Sequence, residues 1–416
     1  MFKTLKNAWS IADLRKKLIF TMLILLLYRI GNVIPVPFVN VKQWNAYFNT
    51  ALSGTILSLY DTMSGLSTGT ILSLGIQPYI NSSIIVQLLT IAIPALERMA
   101  KEQGEEGKKK INMITRFTTV GLGLLMGFAY YMMLRNNSGL LSDKSFLAAV
   151  VIILSFTAGS AVVMWLGEQI TEHGIGNGIS MILFAGIIAR IPSLIGGIIN
   201  LGWWQALIVA VFMVLLVLFI VYINDAERRI PIQYAKRVVG RKVYGGQSTN
   251  MPIKVAMSGV MPIIFASSIC TMPATVCVFF GWTKNWAYLH LFQTTSWFYM
   301  LCYGLMIFFF SWFYSTIQYD PVEISNNLKG NGGFIPGFRP GKPTADFIKK
   351  VIGKLVVFGA VYLAVVALLP MVGGNLLASN IAIGGTSIII LVSVALETVK
   401  ALEAQMLMRH YKGFLD

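Results

Sequence analysis

The chain has 416 residues, of which 56% are hydrophobic and only 12% charged, with a mean hydropathy of +0.70. A water-soluble domain carries about 25% charged residues, so that class is excluded. A net charge of +16 would point to nucleic acid in a soluble protein, but most of the positive charge here lies between long apolar runs, where it first reports membrane orientation.

Runs such as "LIFTMLILLLYRIG" and "ALIVAVFMVLLVLFIVY" are solidly apolar. They lack the two-residue alternation of barrel strands, so they read as helices. Ten spans are expected, near 18–36, 73–94, 114–134, 147–167, 176–198, 203–223, 255–280, 296–318, 350–371 and 384–403. No small-residue cleavage pattern follows the first, which reads as a retained helix. Before span 2, residues 62–72 are too short and polar to cross. Span 2 begins with Pro78 and the polar run Asn81, Ser82, Ser83. Span 5 opens on "GIGNGIS". No strand precedes it and no Lys follows it, so it reads as a cap that lets helices approach closely, not as a nucleotide loop. Span 7 contains "AMSGVMPIIFASSICTMP", with Pro262, Ser267 and Ser268. Spans 2 and 7 are each second in a group of five. Matching irregularities there suggest an inverted repeat around a central pathway, with halves at 1–200 and 201–416.

With the N-terminus in the cytoplasm, the inner segments are 1–17, 95–116, 168–175, 224–254, 319–354 and 400–416, and they hold 27 of the 33 Lys and Arg. That bias places both termini inside. Two inner loops are long for connections, "DAERRIPIQYAKRVVGRKVYGGQSTNMPIK" and "QYDPVEISNNLKGNGGFIPGFRPGKPTADFIKK". Gly, Pro and Arg occur together in both, which suits ordered protruding turns. The bland role for the charge is fixing topology; the sharper one is docking an acidic or RNA-containing partner.

The spans hold almost no ionisable groups. Arg29 and Arg190 fall near outer ends, where they can snorkel. No carboxylate sits clearly at mid-membrane, which argues against an ion-coupled transporter. Cys270, Cys277 and Cys302 lie in or beside apolar segments without metal spacing. His173, His290 and His410 are scattered, and no nucleophile–base set appears, so an enzyme is poorly supported and no cofactor is expected.

Several stretches together carry a specific resemblance: "LGIQPYINSSIIVQLLT" (74–90), "MWLGEQITEHGIGNGISMILFAGI" (164–187), "AERRIPIQYAKRVVGRKVYGGQSTNMPIKVAMSGVMPIIFASS" (226–268), "NLKGNGGFIPGFRPGKPT" (327–344) and "GGTSIIILVSVALE" (384–397). The chain resembles the bacterial SecY family of protein-conducting channels. The resemblance implies an all-α polytopic membrane protein: ten helices in two pseudo-symmetric five-helix halves, with a re-entrant plug at about 62–72. Unfolded polypeptides would cross the bacterial plasma membrane through the middle. Hydrophobic signal sequences and membrane helices would leave sideways into the lipid bilayer, between spans 2 and 7. By family position the pore ring would be Ile80, Ile84, Leu183, Ile264 and Ile390, with Ile76, Ile388 and Ile389 as neighbouring candidates. The plug would include Ser64, Gly65, Leu66, Gly69 and Leu72, kept marginal by its glycines. Pro78, Asn81, Ser82, Pro262 and Ser267 would line the lateral gate. Loops 224–254 and 319–349 would bind the motor ATPase SecA and the ribosome, including its rRNA, through Arg228, Arg229, Lys236, Arg237, Arg241, Lys242 and Arg339. Relatives pair with the small subunits SecE and SecG. No catalytic residue is implied. The alternative within the family is an accessory SecY homologue for a restricted substrate set.

Overall fold

The computed structural model describes residues 2–51, 61, 65–102, 104–137, 139–192, 195–196, 202–234, 237–239, 242–244, 248–257, 259–279, 291, 296–376 and 385–412. Helix α1 (Phe2–Ser10) precedes α2 (Ala12–Gly31), which occupies span 1. Helix α3 (Val41–Ala51) and a single 3-10 turn at Leu66–Thr68 follow. Then come α4 (Gln77–Ala92, span 2), α5 (Pro94–Glu102), α6 (Gly104–Asn136, span 3), α7 (Phe146–His173, span 4) and α8 (Gly178–Ile188, span 5). The second half contains α9 (Trp203–Asp225), α10 (Met261–Phe279), α11 (Trp297–Gln318), α13 (Lys342–Leu376) and α14 (Gly385–Lys412) at spans 6 to 10, with a short α12 (Pro321–Gly330) between α11 and α13. A described helix thus falls on every expected span. Five of them are long and apolar enough by themselves to cross a membrane, or six if the bent pair α4–α5 counts as one.

Three stretches gain detail. The expected inner segment 95–116 is helical among its described residues, as α5 and the first turns of α6. Pro94 removes a helix donor and disfavours helical geometry at Ile93, which is extended at φ −108°, ψ 111°. The chain bends by 106° there and continues as the helix α5. Within span 5, α8 stops at Ile188, and after a turn at 189–190 helix resumes at 191–192 and 195–196 among the described residues. The region 62–72 holds one 3-10 turn among its described residues, not an α-helix.

Local sequence sets the helix starts. Ser145 caps α7 by accepting from the Ala148 N–H at 3.2 Å. Asn177 caps α8 through the Ile179 N–H at 3.0 Å, and Asp320 caps α12 through Val322 at 2.9 Å. The glycine-dense opening of α8 serves close approach: a Cβ on Gly178 would run into the Gly167 carbonyl of α7.

The two cytoplasmic loops were expected as separate protrusions. They are one unit. Strands β1 (Glu227–Tyr234) and β4 (Ser248–Lys254) pair antiparallel, from Glu227↔Lys254 to Gln233↔Ser248. From the second loop, β5 (Gly333–Phe334) pairs with the other edge of β1, giving the order β4-β1-β5. A second hairpin joins β2 (Arg237–Val239) to β3 (Lys242–Tyr244). Ile230 is buried on the sheet and clusters with Ile253, Met257, Ile335, Ile348, Ile352 and Val356. That small core fastens the sheet to the N-terminal part of α13. The main core is separate, continuous through the spans, and takes residues from both halves.

Candidate functional site

The two halves meet on one side where α4 lies beside α10. Each helix begins with a proline in its first turn, Pro78 and Pro262, where the missing N–H costs no helical bond. Both prolines are buried. They set where the helices start and do not break them. Across the seam, Gln77 Nε2 donates to Ser268 Oγ at 2.9 Å, and the bond is buried. Asn81 lies one turn further on, so it shares the Gln77 face. Its Oδ1 is buried without a hydrogen-bond partner among the described residues.

The other expected gate residues turn elsewhere. Ser82 donates to the Thr115 carbonyl at 2.7 Å and so braces α4 against α6, not α10. Ser267 donates to the Ile264 carbonyl of its own helix at 2.8 Å. Sequence reasoning missed Gln77, although a glutamine opening an apolar span was a usable signal. On the opposite side α14 packs against α8 and α9. There Lys400 Nζ pairs with Asp225 at 2.7 Å and Asn224 donates to Ser393 at 3.2 Å.

Ile80, Ile84, Leu183, Ile264 and Ile390 are all buried in one apolar cluster, together with Ile76, Ile388 and Ile389. Leu66 and Leu72 belong to that same cluster, so the segment before α4 is continuous with the five aliphatic side chains. The turn is held by more than apolar contact. Gly65 and Gly69 flank it in the left-handed region, at φ 78° and φ 60°, a conformation that glycine adopts without a steric cost. Trp44 Nε1 donates to the Leu66 carbonyl at 2.9 Å. Val36 donates to the Gly69 carbonyl at 3.1 Å. Ser64 lies outside the described residues.

On the β4-β1-β5 sheet Arg228 and Arg229 are exposed. Arg229 Nε is 2.7 Å from Glu227 Oε1; this pair is too exposed to contribute much to stability. Lys236 and Arg241 lie outside the described residues, and Arg237 and Lys242 are described by backbone only, on the β2–β3 hairpin. Arg339 is exposed at the tip of a braced loop. Thr344 donates to the Arg339 carbonyl at 2.8 Å, Ser325 donates to the Gly341 carbonyl at 2.8 Å, and Phe338 packs on Phe347 with centroids 4.3 Å apart. The loop fixes its backbone and leaves the guanidinium at the surface.

The sequence model of the SecY family matches residues 70–399. The chain belongs to the SecY family. It is 43% identical to the protein translocase subunit SecY of Thermotoga maritima, over all of this chain and 98% of that one. It is 42% identical to SecY of Corynebacterium glutamicum, over 98% and 99%. Among solved structures it resembles "The structure of a protein conducting channel", with TM-score 0.67 and 19% identity, covering 94% of this chain and 92% of that chain. It also resembles "Sec61 in the Canine ribosome-channel complex from the endoplasmic reticulum", with TM-score 0.61 and 17% identity, covering 94% and 92%. A SecY-family chain with this many apolar helices is a multi-pass membrane protein.

The seam between α4 and α10 gives this SecY-family chain a measurable weak point. Gln77→Ala removes the Gln77–Ser268 bond and is expected to favour separation of the two helices by about 1 kcal/mol, roughly a fivefold change in their closed-to-open ratio. Spin labels on exposed sites of α4 and α10 check it. An unchanged distance distribution counts against a gate-closing role for that bond.

Proposed function

We infer that this chain is the channel subunit of a bacterial protein translocase. It conducts unfolded polypeptides across the plasma membrane and releases hydrophobic helices sideways into lipid. The observation that carries the reading is a single apolar cluster drawn from both halves and bordered by the α4–α10 seam, in a chain of the SecY family. Ile80, Ile84, Leu183, Ile264 and Ile390 form the ring that excludes water and ions, by packing and dewetting. Gly65, Leu66, Gly69 and Leu72 belong to the plug beneath it. One solved structure of similar fold is titled "The plug domain of the SecY protein stablizes the closed state of the translocation channel and maintains a membrane seal"; the same duty is assigned to residues 65–72 here.

Both termini and the β4-β1-β5 sheet face the cytoplasm, in keeping with the Lys and Arg bias. The sheet and the Arg339 loop dock the ribosome and SecA. Solved structures of similar fold include channels bound to ribosomes. Arginines suit phosphate and carboxylate partners because their planar donors pair in two places at once. SecE- and SecG-type subunits complete the complex. The chain performs no chemistry of its own; its partners supply the energy. A general secretory role is favoured over an accessory one by the matches to SecY along the whole length.

The reading is tested by reconstituting the chain with SecE- and SecG-type subunits, adding SecA, ATP and a secretory precursor, and following protease protection of the precursor. Protection is expected with the unaltered chain. Arg339→Glu should abolish it while the complex stays assembled. Absence of protection with several cognate precursors contradicts the channel role, and full protection with Arg339→Glu contradicts the role given to that loop.

A further inference from the structure

The plug was expected to be marginal and Arg190 to snorkel outward. The structure does something different with both. Arg190 follows the outer end of α8 and turns inward to Asp61, with Nη2 and Oδ2 2.5 Å apart. The side chain of Asp61 is only 6% exposed and that of Arg190 27% exposed. Asp61 also accepts from the Ser67 N–H through Oδ1 and, through its backbone carbonyl, from the Gly65 N–H at 2.8 Å. Arg190 further donates to Ser67 Oγ at 3.3 Å. One carboxylate therefore holds the 3-10 turn from inside, and one guanidinium ties both the carboxylate and the turn to α8.

We propose that Arg190 is the positioning residue that latches the plug shut, acting through Asp61 and Ser67. The chemistry favours a latch over a surface ion pair. A carboxylate this buried needs its partner, because either charge left alone in the interior is strongly disfavoured. A single cationic nitrogen, Nη2, joins Asp61 and Ser67 at once, so a charged amine at this position retains the attraction. The pair also connects two parts that must separate if the plug is to leave: a turn in the segment before α4, and the helix that carries Leu183 of the ring. A cavity of about 200 Å³ adjoins it, lined by residues that include Arg29, Asn32, Gly65, Thr68 and Arg190. That partly open space leaves the arginine room to turn toward solvent when the plug moves, so release does not strand its charge in close packing. The charges are also unusual for their side. By the positive-inside assignment, Asp61 and Asp143 are the only carboxylates in the outer segments.

The inference rests on reading residues 65–72 as the plug. The test measures anion leak through the complete reconstituted complex in vesicles without precursor or SecA. Asp61→Asn and Arg190→Gln should each raise the leak roughly tenfold or more. Arg190→Lys should stay near the unaltered level. The double variant should leak no more than the leakier single variant, because each change already breaks the same pair. Single variants that stay tight in assembled complexes overturn the latch, as does a double variant whose effects multiply. A third variant, with residues 65–68 deleted, separates the two readings. If it leaks while the latch variants do not, only the latch is wrong. If it too stays tight, the plug assignment fails.

Discussion

Gly159→Ala is expected to destabilise the protein by about 3 kcal/mol and to loosen the segment that leads into α4. Gly159 lies on α7 and presses on the backbone carbonyl of Ile71; a Cβ there would overlap that oxygen. Backbone cannot rotate away as a side-chain tip can, so either α7 or residues 70–72 must shift. Overpacking of this kind costs about 1–3 kcal/mol and sometimes more. Leu72 adds to the effect, because it already fills the space beside Gly31, where a Cβ would overlap it. Denaturation of the purified complex in detergent checks the stability. Hydrogen exchange over 70–76 checks the location: the change should appear there before it appears in α11 or α13. Gly353→Ala is the control, since nothing lies within 4 Å of a Cβ at that position; it should not destabilise the protein and should leave exchange over 70–76 unchanged.

The second large effect concerns the ring. Ile80→Ser with Ile264→Ser is expected to raise ion leak about tenfold or more in the absence of a precursor. Both side chains are at most 4% exposed and share one cluster with Leu66 and Leu72. Each substitution removes three carbon-sized groups from a packed interior, and each adds a hydroxyl that wets the constriction. The same change at Leu215 and Leu218 of α9, which are each 60% exposed, should leave conductance unaltered. Conductance across a planar bilayer, with assembly of the complex as a control, separates the two sets.

Much of this fold was legible from hydropathy and charge, because the bilayer imposes long apolar runs and the inner loops collect Lys and Arg. The α5 helix was not, since its sequence "PALERMAKE" is charged and short and reads as a loop until Pro94 is seen to bend the chain. The joining of the two long basic loops was not legible either. Strand β5 is two residues long, and its pairing with Gln233 and Tyr234 depends on a contact about 100 residues away in sequence. At the candidate site the aliphatic positions came from resemblance to a family, and the structure shows where each lies. The polar groups were harder. Ser82 was expected at the gate and bonds to α6, while Gln77 was overlooked and bonds across the α4–α10 seam. Helical periodicity says which residues share a face, but not which neighbour that face meets. The pairing of Asp61 with Arg190 spans 129 positions and leaves no local pattern at all.

The central claim is that polypeptide passes through the ring formed by Ile80, Ile84, Leu183, Ile264 and Ile390. Its most direct test is a precursor arrested in transit that carries a single cysteine, with cysteines placed one at a time at Ile84, Ile264 and Ile390, or at the outward-facing Phe117 and Leu215 as controls. The native cysteines are replaced by serine beforehand. Oxidation should join the arrested chain to the three ring positions and not to the controls. Crosslinks confined to Phe117 or Leu215, with the ring positions unreacted in a complex that protects precursor, would contradict the account.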